Sequence, residues 1–256
     1  MGFRYLNAIA SQQHIDEFLQ LADLAAGSGA DANNVFELSR QLSQDKPMRL
    51  CETRLRKDPD AARLIDARRL CGPYDIDALL QLPKGSLGHT YATVMRALDY
   101  DISFFPDPAF YNNLASDADY INYRVYATHD IHHILSGYSL DNFGETGVIS
   151  ISVGQFSFPG FSFVNLVGLM ISFFHSERPY EDLLGDGAPA GHIGYEYDLI
   201  QQGIAMGLKA SPLFPVIWEE RMGQNLEELR TELGIEPVRE GPWSWYSHPA
   251  IKAALA

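Results

Sequence analysis

The 256-residue chain reads as one all-α domain, a single-domain helical bundle with a metal site on facing helices and an apolar channel. Three observations lead there. Apolar residues recur at helical spacing between glycines, prolines and capping residues along most of the sequence. The one β-like alternation, Val148-Ile149-Ser150-Ile151-Ser152-Val153, has no second strand nearby to pair with, so helix is the better reading. The segment from Thr146 to Phe174 carries no charged residue, which places it inside the molecule or against lipid.

The elements follow in order. Gln13 to Ala26 shows a helical stripe at Ile15, Phe18, Leu19, Ala22 and Leu24, closed by Gly27-Ser28-Gly29. Asn33 caps a second helix running through Leu42. Asp60 to Leu70 is a third, stopped by Gly72-Pro73, and Asp75 to Leu82 a short one ending at Pro83. Leu87 to Leu98 follows. Pro108 suits the first turn of a further helix. Asp117 to Leu135 is the longest candidate ahead of the apolar segment, and Gly137 closes it. Asp141 caps its successor. Two apolar helices then meet at Pro159-Gly160. His192 to Leu208, Phe214 to Met222 and Asn225 to Leu233 complete the count. No internal repeat or low-complexity linker interrupts the chain.

Composition limits the function. With 46% hydrophobic and 20% charged residues the chain is a globular protein, not a disordered one. A net charge of −14, from 33 acids against 19 bases, disfavours a nucleic-acid binder, which needs the opposite sign. Cys51 and Cys71 form no framework and read as reduced thiols. The first residues show neither a signal-peptide core nor transit-peptide character. The uncharged segment is long enough to span a bilayer, but five serines, Gln155, Asn165 and a central Pro159 argue for two buried helices lining something greasy.

A local reversal of charge stands early. Arg49, Arg54, Arg56, Lys57, Arg63, Arg68 and Arg69 face only Glu52, Asp58, Asp60 and Asp66. Such a cluster is either a solvated face laced with ion pairs or a docking surface for an anionic membrane or acidic partner.

The chemistry concentrates at His129-Asp130-Ile131-His132-His133 and the following Glu145. On a helix, His129 and His133 project from one face and reach one cation. Asp130 sits about 100° round the helix and is a third ligand or a supporting group. Gly137 turns the chain so that Glu145 can return with a carboxylate. Two imidazoles with carboxylates suit zinc, and also Fe(II) or Mn(II) with open positions. His132 lies three residues from His129, so geometry allows it as a ligand, but it is adjacent to His133 and projects in a different direction, which argues against the two sharing one metal. The alternative is a helix whose histidines are satisfied by ordinary hydrogen bonds.

Two generic classes compete. Zinc peptidases of the H-E-x-x-H type place glutamate where this chain has Asp130. Metal phosphohydrolases with a consecutive His-Asp would draw on His89 and on Asp141 or Asp198. Other features are weaker. His192, Tyr195 and Glu196 share a helix side. Arg124 pairs with Asp130, meets a substrate acid group or forms a structural ion pair. Tyr120, Tyr123 and Tyr138 line the pocket or the core. Trp243, Trp245 and Tyr246 read as a packing anchor. His14, His175 and His248 have no motif context. No P-loop, dinucleotide fingerprint or nucleophile elbow is present.

The spacing H-D-x-x-H-x11-E, met by His129, Asp130, His133 and Glu145, resembles the signature of the coenzyme Q (ubiquinone) biosynthesis protein 4 family. Leu82-Pro83-Lys84-Gly85-Ser86-Leu87-Gly88-His89-Thr90-Tyr91 is similar to a second family stretch. Met206-Gly207, Pro212-Leu213-Phe214, Trp218-Glu219-Glu220, Leu226, Leu229-Arg230 and Glu232-Leu233-Gly234-Ile235 are similar to its C-terminal region. The resemblance covers residues 75–238; residues 1–74 stand as a helical N-terminal extension of the same domain.

That resemblance implies an all-helical fold and a divalent metal, zinc first and Fe, Mn or Mg as alternatives, on His129, Asp130, His133 and Glu145. It implies oxidative decarboxylation, with molecular oxygen as co-substrate, at ring carbon C1 of a polyprenylated 4-hydroxybenzoate-type acid. A hydroxyl replaces the departing carboxylate. With zinc, which has no redox role, the electrons come from the substrate. It also implies long isoprenoid lipid as ligand, peripheral membrane association and other ubiquinone-pathway enzymes as partners. A homodimer is allowed. The expected location is the cytoplasmic face of a bacterial inner membrane, or the mitochondrial matrix side in a eukaryote. The apolar segment after Glu145 is placed to wall a channel for the isoprenoid tail. Gly147, Gly154, Gly160 and Gly168 would admit the tail or serve close helix packing. The alternative function is a non-catalytic scaffold that presents isoprenoid lipid to partner enzymes.

Overall fold

The computed structural model describes residues 5, 8–28, 31–99, 105–175 and 193–256. Among them all regular structure is helical, in one domain. The helices are α1 (Gln12–Ala26), α2 (Ala32–Gln41), α3 (Lys46–Leu55), α4 (Pro59–Ala67), α5 (Ile76–Leu79), α6 (Leu87–Ala97), α7 (Asp117–Ala127), α8 (His129–Ser136), α9 (Asn142–Phe156), α10 (Pro159–His175), α11 (Ile193–Lys209), α12 (Leu226–Leu233) and α13 (Pro249–Leu255).

Local chemistry sets most boundaries. Ser11, Asp58, Ser86, Ser116 and Asn225 each cap the helix that follows by accepting main-chain N–H bonds. The cap of α2 is Asp31, which accepts from the Asn33 nitrogen at 2.9 Å; Asn33 lies inside the helix. α4 ends at Ala67, three residues short of the expected Leu70, because Arg68 turns left-handed at φ 49°.

Four further differences separate the fold from the expected string. α3 has no counterpart there; it begins at Lys46-Pro47, where proline suits the first turn. Pro108 opens only turns and a short 3₁₀ stretch at Asn112–Leu114. Phe214 to Met222 holds one 3₁₀ turn, Trp218–Glu220, in place of a helix. The expected helix from Asp117 to Leu135 is two helices, α7 and α8. The break falls at Thr128, whose hydroxyl donates back to the Arg124 carbonyl at 2.9 Å. Such back-bonding competes with the helical ladder.

The Val148–Val153 alternation lies within α9, and the uncharged segment folds as α9 and α10, joined at Ser157-Phe158. Among the described residues no helix is long and apolar enough to cross a membrane. α9 packs on α11 backbone to backbone. A Cβ on Gly203 would overlap the Gly147 carbonyl, and one on Gly207 the Ile151 carbonyl. Gly147 and Gly160 are likewise filled by the Tyr138 ring and the Ser39 hydroxyl. Gly147, Gly154 and Gly160 thus serve close packing, one of the two roles the sequence left open; of the four glycines in the uncharged segment Gly168 has room, with Glu196 3.7 Å away.

Two family-like segments meet in space. Leu87 and Gly88 donate to the carbonyls of Gln224 and Met222 at 2.9 and 2.8 Å, and Leu226 donates to Gly85 at 2.9 Å. The main core gathers α3–α9 and the C-terminal segment, and a smaller one joins α1, α2 and α10.

Candidate metal centre

α8 carries two histidines one turn apart, and its end is pinned from a distance. Gly137, at φ 83°, takes the left-handed closing position that glycine occupies without strain. The buried guanidinium of Arg230 donates to the carbonyls of Ile134 and Leu135 at 2.6 and 2.9 Å, placing positive charge at a helix C-terminus, where the dipole favours it. The Trp245 indole donates to the His133 carbonyl at 2.8 Å, and the Val238 N–H to Ser136 at 2.7 Å. α9 then starts on Asp141, which accepts from the Gly144 N–H at 3.0 Å and from the Ser139 hydroxyl at 2.7 Å.

These supports bring His129, His133 and Glu145 together. One ligand atom from each lies within 4.8 Å of the others. His129 Nε2 stands 2.9 Å from Glu145 Oε2, and His133 Nε2 stands 3.1 Å from Glu145 Oε1 and 3.2 Å from His129 Nε2. The imidazole planes cross at 87°, with centroids 4.8 Å apart. The His133 side chain is 0% exposed, that of His129 15% and that of Glu145 40%, so the site is sealed beneath and open above.

The proton count tests whether a metal fits. His133 Nδ1 lies 3.2 Å from the Tyr138 carbonyl, which only accepts, so Nδ1 carries the proton and Nε2 of the neutral ring offers a lone pair. A ligating histidine is normally held this way. Three acceptor-capable groups then face one point. A single proton satisfies one contact; a divalent cation satisfies all three. Two atoms each about 2.1 Å from one ion stand about 3.0–3.4 Å apart, close to the separations seen here.

The charges agree. Burial pushes the Glu145 carboxyl up, but the charges and hydrogen bonds of His129 and His133 outweigh it and hold the group well below the carboxylate range. Burial pushes the His129 imidazole down, and Glu145, with help from Asp130, raises it on balance. Burial, with the positive charges of His129, His133 and Arg124, drives His132 down to about 3. His132 is therefore neutral, and its ring meets Trp218 edge-on at 6.0 Å.

The other named residues fall elsewhere. Asp130 is half-buried on α8 outside the three-residue cluster, with its charge felt at His129 and Tyr91. His89 sits 3.4 Å from the Thr93 hydroxyl on α6, Asp141 caps α9, and Asp198 accepts from Gln202 at 3.0 Å. None joins the triad, so the phosphohydrolase ligand set is not assembled. Among the described residues Arg124 forms no ion pair: it is fully buried and donates to the carbonyls of Phe214 and Val216, both at 2.8 Å.

Tyr120, Tyr123 and Tyr138 are core residues. Glu196 accepts from Thr146 at 2.9 Å, and Tyr195 packs on Trp243; His192 lies outside the described residues. Trp245 and Tyr246 stack at 3.7 Å as an anchor. The supporting residues Arg230 and Trp245 had no metal-site signal in the sequence. Arg230 entered only within a family-like string and Trp245 only as packing. Cys51 and Cys71 are buried free thiols, raised by burial to about 12 and about 11.

The class is an all-helical domain in which two histidines on one helix and a carboxylate returning from the next could hold a metal ion. The family model described as Coenzyme Q (ubiquinone) biosynthesis protein Coq4 matches residues 13–180 and 195–239, and the chain belongs to that family. The match begins well ahead of residue 75, where the motif resemblance starts.

Three relatives give the scale. The chain is 26% identical to the mitochondrial ubiquinone biosynthesis protein COQ4 homolog of Homo sapiens, over 85% of this chain and 78% of that one. It is 25% identical to mitochondrial COQ4 of Clavispora lusitaniae, over 79% and 59%, and 26% identical to the Aedes aegypti homolog, over 64% and 54%. The chain thus spans between half and three-fifths of the length of the insect and yeast relatives. A crystal structure of a Nostoc punctiforme protein named for ubiquinone biosynthesis superposes with a TM-score of 0.68. It is 26% identical over 86% of this chain and 97% of that one.

Proposed function

We propose that this chain acts in ubiquinone biosynthesis as a metal-dependent oxidative decarboxylase. The carboxylate at C1 of a polyprenylated 4-hydroxybenzoate-type ring leaves as carbon dioxide, one atom of dioxygen becomes the ring hydroxyl, and the other leaves as water, reduced with two protons and two electrons from an external two-electron donor. Family membership supports the pathway. The observation that carries the chemistry is the convergence of His129 Nε2, His133 Nε2 and the Glu145 carboxylate on one point.

A bound divalent cation, zinc or else Fe, Mn or Mg, would supply Lewis acidity toward the substrate carboxylate. The remaining work belongs to the chain. His133 is locked by its Nδ1 bond to Tyr138 and its main-chain bond to Trp245, so Nε2 stays unprotonated and aimed inward. Glu145 supplies the carboxylate, its Oε2 2.9 Å from His129 Nε2 and its Oε1 3.1 Å from His133 Nε2. Asp130, next along α8, is proposed as a fourth ligand, its charge already felt at His129. Phe161, buried and 5.5 Å from the His129 ring, gives the site an apolar inner side. An aromatic acid seated there is oriented with its carboxylate toward the triad.

The test is turnover of a short-chain prenylated 4-hydroxybenzoate-type acid under ¹⁸O-labelled dioxygen. One labelled oxygen in the ring product with release of carbon dioxide, both lost in Glu145→Gln, supports the reading. Unchanged turnover in Glu145→Gln refutes it.

A second reading rests on α10. Phe173 and Phe174 at its end are 66% and 73% exposed, a surface suited to lipid or to partner proteins. In that reading the chain presents isoprenoid lipid to other ubiquinone-pathway enzymes at a membrane face, and the metal is structural. The relatives named mitochondrial favour a mitochondrial location for a eukaryotic source; the matrix side there, and the cytoplasmic face of the inner membrane for a bacterial source, are part of this proposal. Co-purified polyprenyl lipid with no turnover in any metal form selects this reading.

A further inference from the structure

The early basic cluster resolves into two sets. Arg56 pairs with Asp66 and Asp117, Arg63 with Asp60, Arg68 with Asp117 and Arg69 with Glu220. Arg49 turns back to the Gln44 carbonyl. Among the described residues Arg54 and Lys57 make no ion pair, and both line the rim of one cleft of about 500 Å³. The floor of that cleft is apolar, built from Phe156, Leu208, Phe214 and Pro215.

The other polar groups at the rim are already used. Asp58 turns its carboxylate onto the N–H groups of Asp60 and Ala61, at 2.9 and 3.3 Å, as the cap of α4. Gln155 donates to the Ser211 carbonyl at 2.9 Å and accepts from Leu213 at 3.0 Å. Arg54 spends one contact, 3.1 Å to the Gly154 carbonyl, out of five N–H donors. Uncommitted capacity at this mouth is therefore cationic, in a chain of net charge −14.

The cleft is separate from the metal centre. Glu145 and Gly154 lie nine residues apart on α9, about 14 Å along a helix. Between them stand Phe156, Phe158 and Phe161, with ring centroids 6.4 and 5.0 Å apart, and then His129 5.5 Å further on. This aromatic wall closes the floor toward the triad.

We infer that the cleft between α3, α4 and the C-terminal ends of α9 and α11 is a second ligand site. Its ligand is a single-chain amphiphilic anion, whose phosphate or carboxylate rests on Arg54 and Lys57 and whose apolar body lies on Phe156, Leu208 and Phe214. A pocket of this size with an apolar bed and two convergent cations suits a small amphiphile. The site does not rest on the decarboxylase reading.

The test is calorimetric titration of the full chain with dodecyl phosphate below its micelle concentration, with inorganic phosphate and dodecanol as partial probes. One saturable site is expected for dodecyl phosphate, with each partial probe at least tenfold weaker. Arg54→Gln/Lys57→Gln weakens binding about tenfold or more, Lys57→Gln alone does so in part, and Leu208→Glu, on a largely exposed side chain, also weakens it. Glu145→Gln leaves it unchanged. Circular dichroism checks that each variant stays helical. Absence of binding, equal affinity in the double variant or in Leu208→Glu, equal affinity for inorganic phosphate, or loss in Glu145→Gln with retention in the double variant overturns the inference.

Discussion

The Trp245 indole nitrogen reaches the main-chain carbonyl of His133 at 2.8 Å, across 112 positions of sequence. The same residue that points its ring at Glu145 is thus held by its backbone from the C-terminal segment. The candidate metal centre is therefore a product of tertiary structure as much as of the His-x-x-x-His repeat.

Trp245→Phe keeps a large ring and deletes this donor. It should cost about 1–2 kcal/mol of stability, the scale of one buried hydrogen bond and some lost packing. Metal affinity should fall several-fold while the helical content holds. Thermal melts with and without added zinc check both.

Arg230→Met removes the donors to Ile134 and Leu135 and leaves two buried carbonyls with fewer partners. A loss of about 2–4 kcal/mol is expected in denaturant unfolding. Arg230→Lys should recover only part of it, because an ammonium cannot span both carbonyls as the guanidinium fork does.

Gly203→Ala should pry α9 from α11, since the added methyl meets the Gly147 carbonyl. Overpacking of this kind costs about 1–3 kcal/mol. Gly168→Ala, with ordinary contact distances, should be nearly neutral. Equal melting temperatures for the two would contradict the packing account.

The metal-free chain should lose stability as pH rises. The His129 pKa is raised in the fold, so its contribution is full below the ordinary imidazole value near 6.5 and drains away above its folded value. The Glu145 pKa is depressed, so its contribution is present above about 4.3 and drains away as pH falls toward its folded value. The apo melting temperature should peak between these limits and drop by a few degrees toward pH 9. Glu145→Gln should flatten the alkaline drop.

How legible the site was depends on how local its parts are. The histidine pair, the turn at Gly137 and the return of Glu145 lie within seventeen residues, so helical spacing and a glycine turn were enough to point to them. The end of α7 was hidden because a threonine hydroxyl, not a proline or glycine, breaks it. The segment 214–222 looked helical by composition, yet the carbonyls of Phe214 and Val216 turn inward to Arg124. Arginines that bond carbonyls 90 or more positions away leave no residue-type signature. Their sites become visible only once the fold joins α7 and α8 to the C-terminal third.

The most direct measurement is the metal content of the chain purified without chelator, for the native sequence and for Glu145→Gln. About one divalent ion per chain in the native protein and almost none in the variant is the expected result. Equal metal in both, or none in the native protein even after incubation with zinc, iron or manganese, would contradict a metal centre at His129, His133 and Glu145.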